Sequence, residues 1–235
     1  MEHEEYTAEN YPSFGKKYAN EKAIISLTSW TARINTVSKT LYSLLKQCPG
    51  FHIVLVLSEE EFPKMMDELP ENLKLFVDNE LIEVLWVYKN YRSFKKVLFT
   101  MDKYRDVPVI SADDDCIYTC NYAQELYDVW KKNPNCVITN NGNKKDGFYW
   151  SQGTNTIFPS KLLYKSISHI SPKIVHLNND DAFYGILYKK YKIQMIELKK
   201  KNWFIFHDEI SPSRIEREKH KGFWNILVYY SQIIK

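Results

Sequence analysis

The chain reads as an α/β protein with a mostly parallel sheet flanked by helices, and three observations carry that expectation. Short apolar runs rich in Ile, Val and Leu recur at 23–28, 52–57, 83–87 and 108–112, the length and composition of buried strands. Segments with apolar residues at helical spacing lie between them, which implies crossover connections. Three of the runs end in polar residues, Thr28, Ser58 and Asp113-Asp114-Asp115. Ligands of open parallel sheets bind beyond these carboxyl ends.

Each element follows in order. Ala23-Ile24-Ile25-Ser26-Leu27-Thr28 is the first strand. A helix runs from about Thr36 to Gln47, with Val37, Leu41, Leu44, Leu45 and Cys48 on one face, and Pro49-Gly50 stops it. His52 to Leu57 is a second buried strand, and Ser58 with Glu61 forms a capping box for the next short helix. Glu83 to Val87 is a third strand, Ser93 to Tyr104 a helix, and Pro108 to Ala112 the strand that delivers the aspartates. Tyr122 to Lys132 is a helix and Cys136 to Thr139 a short strand. A Gly-punctuated aromatic stretch, Gly147 to Gly153, leads to Ile157-Phe158-Pro159. Asn178 to Tyr188 is a helix opened by Asn179-Asp180-Asp181, and Trp203 to Phe206 a last strand ending in His207-Asp208. Residues 1–21 form a polar arm, 22–209 a single domain and 210–235 a basic, aromatic tail, with no repeat or linker to split the chain.

At 235 residues, with 44% hydrophobic and 26% charged, the chain is long enough to bury one large core. The net charge of +3 is too small to argue for nucleic acid, and its distribution says more. From residue 159 onward there are 14 Lys/Arg and 7 Asp/Glu, a surplus of +7, and the remainder carries −4. A basic C-terminal third beside an acidic half suits a polyanionic substrate or an anionic membrane surface. Cys48, Cys116, Cys120 and Cys136 lack the paired spacing of a zinc site and read as reduced thiols of a cytosolic protein. The N-terminus has no apolar signal segment, and no apolar run approaches the ~18 residues of a spanning helix.

The aspartate triplet is the most informative feature. Adjacent carboxylates repel unless a cation or proton relieves them. On a strand, alternate residues share a face, so Asp113 and Asp115 are expected together and Asp114 apart. Oxygen-only ligands suit Mg2+ or Mn2+, which commonly also bind a substrate phosphate. A solvated acidic turn or a helix cap is the competing reading of the same residues.

The order Ile25-Ser26-Leu27-Thr28-Ser29-Trp30-x-x-Arg33-Ile34, Leu57-Ser58-x-x-x-Phe62-Pro63, Lys95/Lys96 and Asp113-Asp114-Asp115-x-x-Tyr118 resembles bacterial GT-A-type glycosyltransferases of surface polysaccharide synthesis. Gly153-x-x-x-Ile157-Phe158-Pro159 resembles that group's Gly-x-Leu-Tyr-Pro loop, and Asp180-Asp181-Ala182-Phe183 its Asp-Asp-Ile-Trp segment. The likeness runs from about residue 23 to 208. Asn155, Thr156 and Phe158 depart from the more aliphatic family loop, which leaves the sugar open.

The resemblance implies a GT-A-like, Rossmann-like domain that moves a sugar from a nucleotide-sugar donor, a UDP-sugar by expectation, to a glycan or lipid-linked acceptor. It implies Mn2+ or Mg2+ held by Asp113 and Asp115, with His207 as a further ligand or diphosphate contact. Thr28, Arg33, Ser58, Lys96, Asp114 and Gly153 are then expected on the donor. Lys95 is the weaker of the adjacent lysines, since neighbours on a helix face different ways and at least one should be solvated. Asp181, with Asp180 as the alternative, is the expected base for the acceptor hydroxyl, though acidic residues in a helix's first turn also serve its dipole. The tail, with Arg214, Arg217, Lys219 and Lys221 ahead of Phe223 and Trp224, suits either packing on the domain or peripheral contact with the inner membrane face. Two other classes compete: a haloacid-dehalogenase-like phosphatase using Asp113 and Asp115, and a non-catalytic nucleotide-sugar or glycan-binding protein. Three strands precede the aspartates here, whereas the phosphatase motif ends the first strand of its fold.

Overall fold

The computed structural model describes residues 21–47, 49–140, 142–145, 148–151, 154–159, 175, 180–198 and 202–207. Continuous apolar runs make the sheet's centre. β1 (Ala23–Thr28), β2 (Phe51–Ser58), β3 (Glu83–Val87) and β4 (Val109–Ser111) all lie in a seven-stranded sheet. It also takes β6 (Val137–Thr139), β9 (Thr156–Phe158) and β10 (Met195–Glu197), in the order β10-β6-β9-β4-β1-β2-β3. β1 pairs in parallel with both β2 and β4, β2 with β3, and β10 with β6. β9 alone runs against its neighbours β4 and β6.

Among the described residues the longer helices are α1 (Val37–Leu45), α2 (Glu71–Asp78), α3 (Phe94–Lys103), α4 (Tyr122–Lys132) and α5 (Asp180–Lys190). Alternation along the strands divides the core into two layers. Ala23, Ile25 and Leu27 of β1, and Ile53, Leu55 and Leu57 of β2, pack with α1, α2 and α4. Ile24, Val54 and Val56 pack on the other side with α3 and α5. Both faces of the sheet are therefore covered, as a parallel sheet requires. One polar tie crosses the second layer: the Ser26 hydroxyl on β1 donates to Lys96 O at 2.5 Å and lies 2.7 Å from Thr100 Oγ1. It locks α3 against the strand beside β4.

The chain leaves β1 on one side for β2 and β3, then returns through α3 to β4 on the other side of β1. The strand order reverses between β1 and β4, so their carboxyl ends flank a crevice. Outside the main sheet, β5 (Cys116–Tyr118) pairs antiparallel with β11 (Phe204–Phe206), and β7 (Gly142–Lys145) with β8 (Phe148–Ser151).

The expected elements are present with small shifts at their ends, and some details differ. Ser58 and Glu61 do not cap a helix: residues 59–61 form a turn, with Glu61 and Phe62 N–H bonded to Ser58 O. The following helical turn, of 3-10 type, is Met65–Glu68, and its N-cap position is Lys64. β4 ends at Ser111, so the aspartates occupy a turn rather than the strand. β5 and β10 were not anticipated, because three residues are too few to reveal a period of two. Cys116, Cys120 and Cys136 are free thiols. The arm over residues 1–20, Cys48, Gly147, Gly153, Asp208 and the tail lie outside the described residues. Among the described residues, no helix is long and apolar enough to cross a membrane.

Phe183 of α5 is fully buried and meets Phe94 of α3 edge-on, with ring centroids 5.4 Å apart. Phe183→Ala should destabilise the fold by about 3–5 kcal/mol in urea denaturation. A loss below about 1 kcal/mol would mean that α5 does not rest on this core.

Candidate active site at the carboxyl end of the sheet

The turn Asp113-Asp114-Asp115 joins β4 to β5, and all three of its residues are tied through the backbone. Asp113 N–H donates to the Tyr118 hydroxyl at 2.8 Å. The Thr40 hydroxyl on α1 donates to Asp114 O at 3.0 Å, and His207 N–H, just past β11, donates to Asp115 O at 3.0 Å. Three separate parts of the chain thus converge on three residues.

The carboxylates do not alternate as they would on a strand. Lys96 of α3 holds Asp113 Oδ1 at 2.5 Å. Arg33, in the loop after β1, holds its neighbours with one nitrogen, 2.5 Å from Asp114 Oδ1 and 2.9 Å from Asp115 Oδ2. The Ser29 hydroxyl completes the grip on Asp114 at 2.7 Å. Asp114 and Asp115 therefore share one cation and Asp113 has another. The expected pairing of Asp113 with Asp115 fails because the turn, not a pleat, sets their directions.

Burial pushes the Asp114 carboxyl up to about 6, and the charges of Asp115 and Asp113 add to this, while Arg33 and Ser29 pull against it. Lys96 is deeply buried, which opposes its charge, yet the carboxylates of Asp113, Asp180 and Asp181 together outweigh that penalty. Its pKa lies above the ordinary lysine value. Lys96 thus senses both acidic groups, the turn after β4 and the first turn of α5. Asp180 is buried, and its Oδ2 has no hydrogen-bond partner. Asp113 differs from its neighbours in that its side chain is 35% exposed.

His207 approaches the turn from β11. Its Nε2 lies 2.9 Å from Thr40 Oγ1. Thr40 has one hydroxyl hydrogen and gives it to Asp114 O, so it receives a hydrogen from Nε2. Any cation bound by this imidazole would meet Nδ1.

A second polar cluster lies at the ends of β2 and β3. Lys95, its side chain 2% exposed, donates to Glu61 Oε2 at 2.7 Å and Asn90 Oδ1 at 3.2 Å, and Ser58 Oγ donates to the same Glu61 oxygen at 2.7 Å. Burial lowers the Lys95 pKa, and Glu61 offsets part of the shift. The expectation that one of the two lysines would be solvated is thus corrected. Lys95 and Lys96 are both buried, because each points to a carboxylate at a different strand end. Thr28 Oγ1 donates to Val56 O at 2.7 Å, joining β1 to β2 at their carboxyl ends.

Asp113, Asp114, Asp115, Arg33, Lys96 and His207 are brought together, Asp180 and Asp181 face them through Lys96, and Thr28 and Ser58 lie at the neighbouring strand ends. Gly153 lies outside the described residues. Among the described residues, no group of three or more His, Cys, Asp or Glu side chains is arranged to hold a metal ion. Sequence reasoning passed over Ser29 and Thr40. A threonine on the buried face of an amphipathic helix was the available signal for Thr40.

No family model matches the sequence, and no curated protein does. Solved structures do match in fold. S. aureus TarS 1–349 in complex with UDP aligns with a TM-score of 0.55 at 14% identity, over 90% of this chain and 69% of that one. The longer S. aureus TarS is covered over 42% of its length. The mannosyltransferase PcManGT from Pyrobaculum calidifontis, in complex with GDP-Man and Mn2+, aligns at 0.52 and 12% identity, over 80% of this chain and 60% of that one. A 4-diphosphocytidyl-2C-methyl-D-erythritol synthase aligns at 0.52 and 10% identity, over 84% of this chain and 98% of the other. At these identities the likeness concerns architecture: the chain has a GT-A-like α/β fold with a mostly parallel sheet.

Asp114 provides a pH test. The folded state keeps its proton to about pH 6, while the unfolded chain releases it near 3.8. Between those values folding takes up a proton, so stability contributed by this group falls as pH rises, by about 3 kcal/mol in total. In chelator, Asp114→Asn should flatten the pH 4–6 part of the denaturation profile. An unchanged slope would assign that fall to other groups.

Proposed function

We propose that the chain is a glycosyltransferase that takes its sugar from a nucleotide-sugar donor, a UDP-sugar by preference, and passes it to a glycan or lipid-linked acceptor in surface polysaccharide synthesis. The observation that carries this reading is Lys96, a buried cation set between the aspartate turn and the α5 carboxylates at the crevice where the strand order reverses. A nucleotide-sugar donor brings a diphosphate, and a buried cation at a strand end suits a departing diphosphate oxygen. Arg33 offers a second cation from the first loop, Ser58 and Thr28 edge the crevice, and Asp114 keeps Arg33 in place.

Asp181 is the proposed base, with Asp180 the alternative. As the acceptor oxygen bonds to the anomeric carbon, the bond from that carbon to the diphosphate breaks, and the acceptor proton passes to the Asp181 carboxylate. Asp180, buried beside it, helps keep Lys96 charged.

By type, the carboxylate oxygens of Asp113 and Asp115 suit a hard divalent cation. Asp113 uses Oδ1 for Lys96 and remains a third exposed, so its other oxygen could meet Mn2+ or Mg2+; Asp115, held by Arg33, and His207 would have to turn toward that ion to complete the site. When bound, the cation would neutralise developing diphosphate charge. For peripheral attachment through the basic tail, co-sedimentation with anionic vesicles at low and high salt is the check, comparing the full chain with one ending near Ser211.

The wild-type chain should hydrolyse at least one of UDP-Glc, UDP-Gal, UDP-GlcNAc or GDP-Man in the presence of Mn2+. Turnover of generic phosphate esters instead would favour the phosphatase reading. Binding of nucleotide sugars without any turnover would favour the non-catalytic one. Asp181→Asn should lower transfer about 100-fold or more while UDP still binds by calorimetry. Transfer at the wild-type rate would return Asp181 to a helix-capping role.

A further inference from the structure

Asn155, immediately before β9, does nothing in the scheme above, yet it is the most anomalous polar residue beside the site. Its side chain is fully buried, and neither Nδ2 nor Oδ1 has a hydrogen-bond partner. Buried polar groups are nearly always paired, so a doubly orphaned carboxamide calls for a reason. Its backbone sits at φ +57°, in the left-handed region, which Asn tolerates better than most residues but which still carries strain.

The backbone around it explains how that conformation is held. Asn155 O accepts from Asn140 N–H at 3.0 Å, and its own N–H faces the Tyr122 hydroxyl, which donates to Ser111 O at 2.5 Å. Thr156 pairs with Ser111 of β4 on one side and Thr139 of β6 on the other. Asn155 therefore stands level with the residue after Ser111, at the mouth of the sheet. The preceding residue ties it to the acidic turn: Thr154 Oγ1 lies 2.9 Å from the Tyr118 hydroxyl that receives Asp113 N–H. A strained, unpaired amide is fixed here by its neighbours, not by its own side chain.

We propose that the Asn155 carboxamide recognises the hydroxyls of a pyranose ring. The proposal rests on the glycosyltransferase reading and names the group that selects the sugar. One planar amide offers N–H donors and a carbonyl acceptor side by side, and each hydroxyl of a vicinal pair can both give and take a hydrogen bond. A phosphate oxygen only accepts and would leave Oδ1 unpaired. The amide is buried, and a bound ring would supply the partners that the free protein lacks. Sites that hydrogen-bond a substrate hydroxyl discriminate strongly against analogues without it.

Asn155→Gly is the clean test, since glycine accepts the positive φ and removes both orphaned atoms. Asn155→Asp keeps the shape and removes the donor. Binding of UDP and of the active UDP-sugar should be measured by calorimetry without acceptor, then transfer as a function of acceptor concentration. In Asn155→Gly we expect UDP affinity unchanged, thermal stability at or above wild type, and a loss of 10-fold or more in a sugar-dependent quantity. A lost preference for UDP-sugar over UDP would assign the donor sugar, and a raised acceptor KM the acceptor sugar. If UDP binding weakens equally, the amide serves the nucleotide and the proposal is overturned. If stability drops while both sugar-dependent quantities hold, the residue is structural, its amide satisfied by buried water, and the proposal is likewise overturned. A wild-type chain that neither binds nor turns over any nucleotide sugar would remove the glycosyltransferase reading itself, a result separate from either of these.

Discussion

Three consecutive carboxylates can occupy one tight turn only if positive charge is brought to them, and that requirement organises this molecule. The charge comes from Arg33 and Lys96, which lie on different elements, the loop after β1 and α3. For Arg33 to arrive, the loop after β1 must fold back over the turn. For Lys96 to arrive, α3 must lie along β1, where the Ser26 hydroxyl fixes it. The reversal of strand order makes both approaches geometrically possible, because it leaves the ends of β1 and β4 adjacent.

The cations gain as much from the arrangement as the carboxylates do. A buried ammonium without partners would lose its proton or stay outside. Lys96 keeps its charge because acidic residues face it from two directions, and so it couples two regions 67 and more residues apart in sequence. The Lys95–Glu61 pair repeats the principle one strand further along, where Ser58 supplies the hydroxyl that Ser29 supplies to Asp114.

The sequence made the frame of this fold readable where apolar runs are continuous. β1, β2 and β4 could be read because both of their faces are buried, the edge strand β3 because its run Val84-Leu85-Trp86-Val87 is continuously apolar, and α4 because its apolar face repeats over 11 residues. The direction of β9 could not be read, since Ile157 and Phe158 pattern alike in either orientation. The chemical residues at the crevice were largely visible by type: aspartates after a strand, a basic pair on a helix, an acidic pair opening another. Their pairing was hidden. That Arg33 would clasp Asp114 and Asp115 together depends on a turn whose geometry is set by Tyr118 close by and by Thr40 and His207 from two distant segments. Asn155 was noticed as a departure from a loop pattern, but nothing in a string of letters reveals that both ends of its amide are unpaired.

The ties on the aspartate turn also differ widely in how far they reach along the chain. Lys96 meets Asp113 across 17 residues, Arg33 meets Asp114 across 81, and Thr40 meets His207 across 167. Loop-closure entropy grows with that separation, and contacts of long range form slowly. Lys96 can therefore be in place as soon as α3 and β4 have come together, whereas the clasp of Thr40 and His207 closes only when β11 has docked on β5. The clasp that completes the turn is therefore the contact of longest reach among these three. A polypeptide shortened before β11 would keep Lys96, Arg33, Ser29 and Thr40 on the turn but lose the tie that His207 makes to Asp115 O.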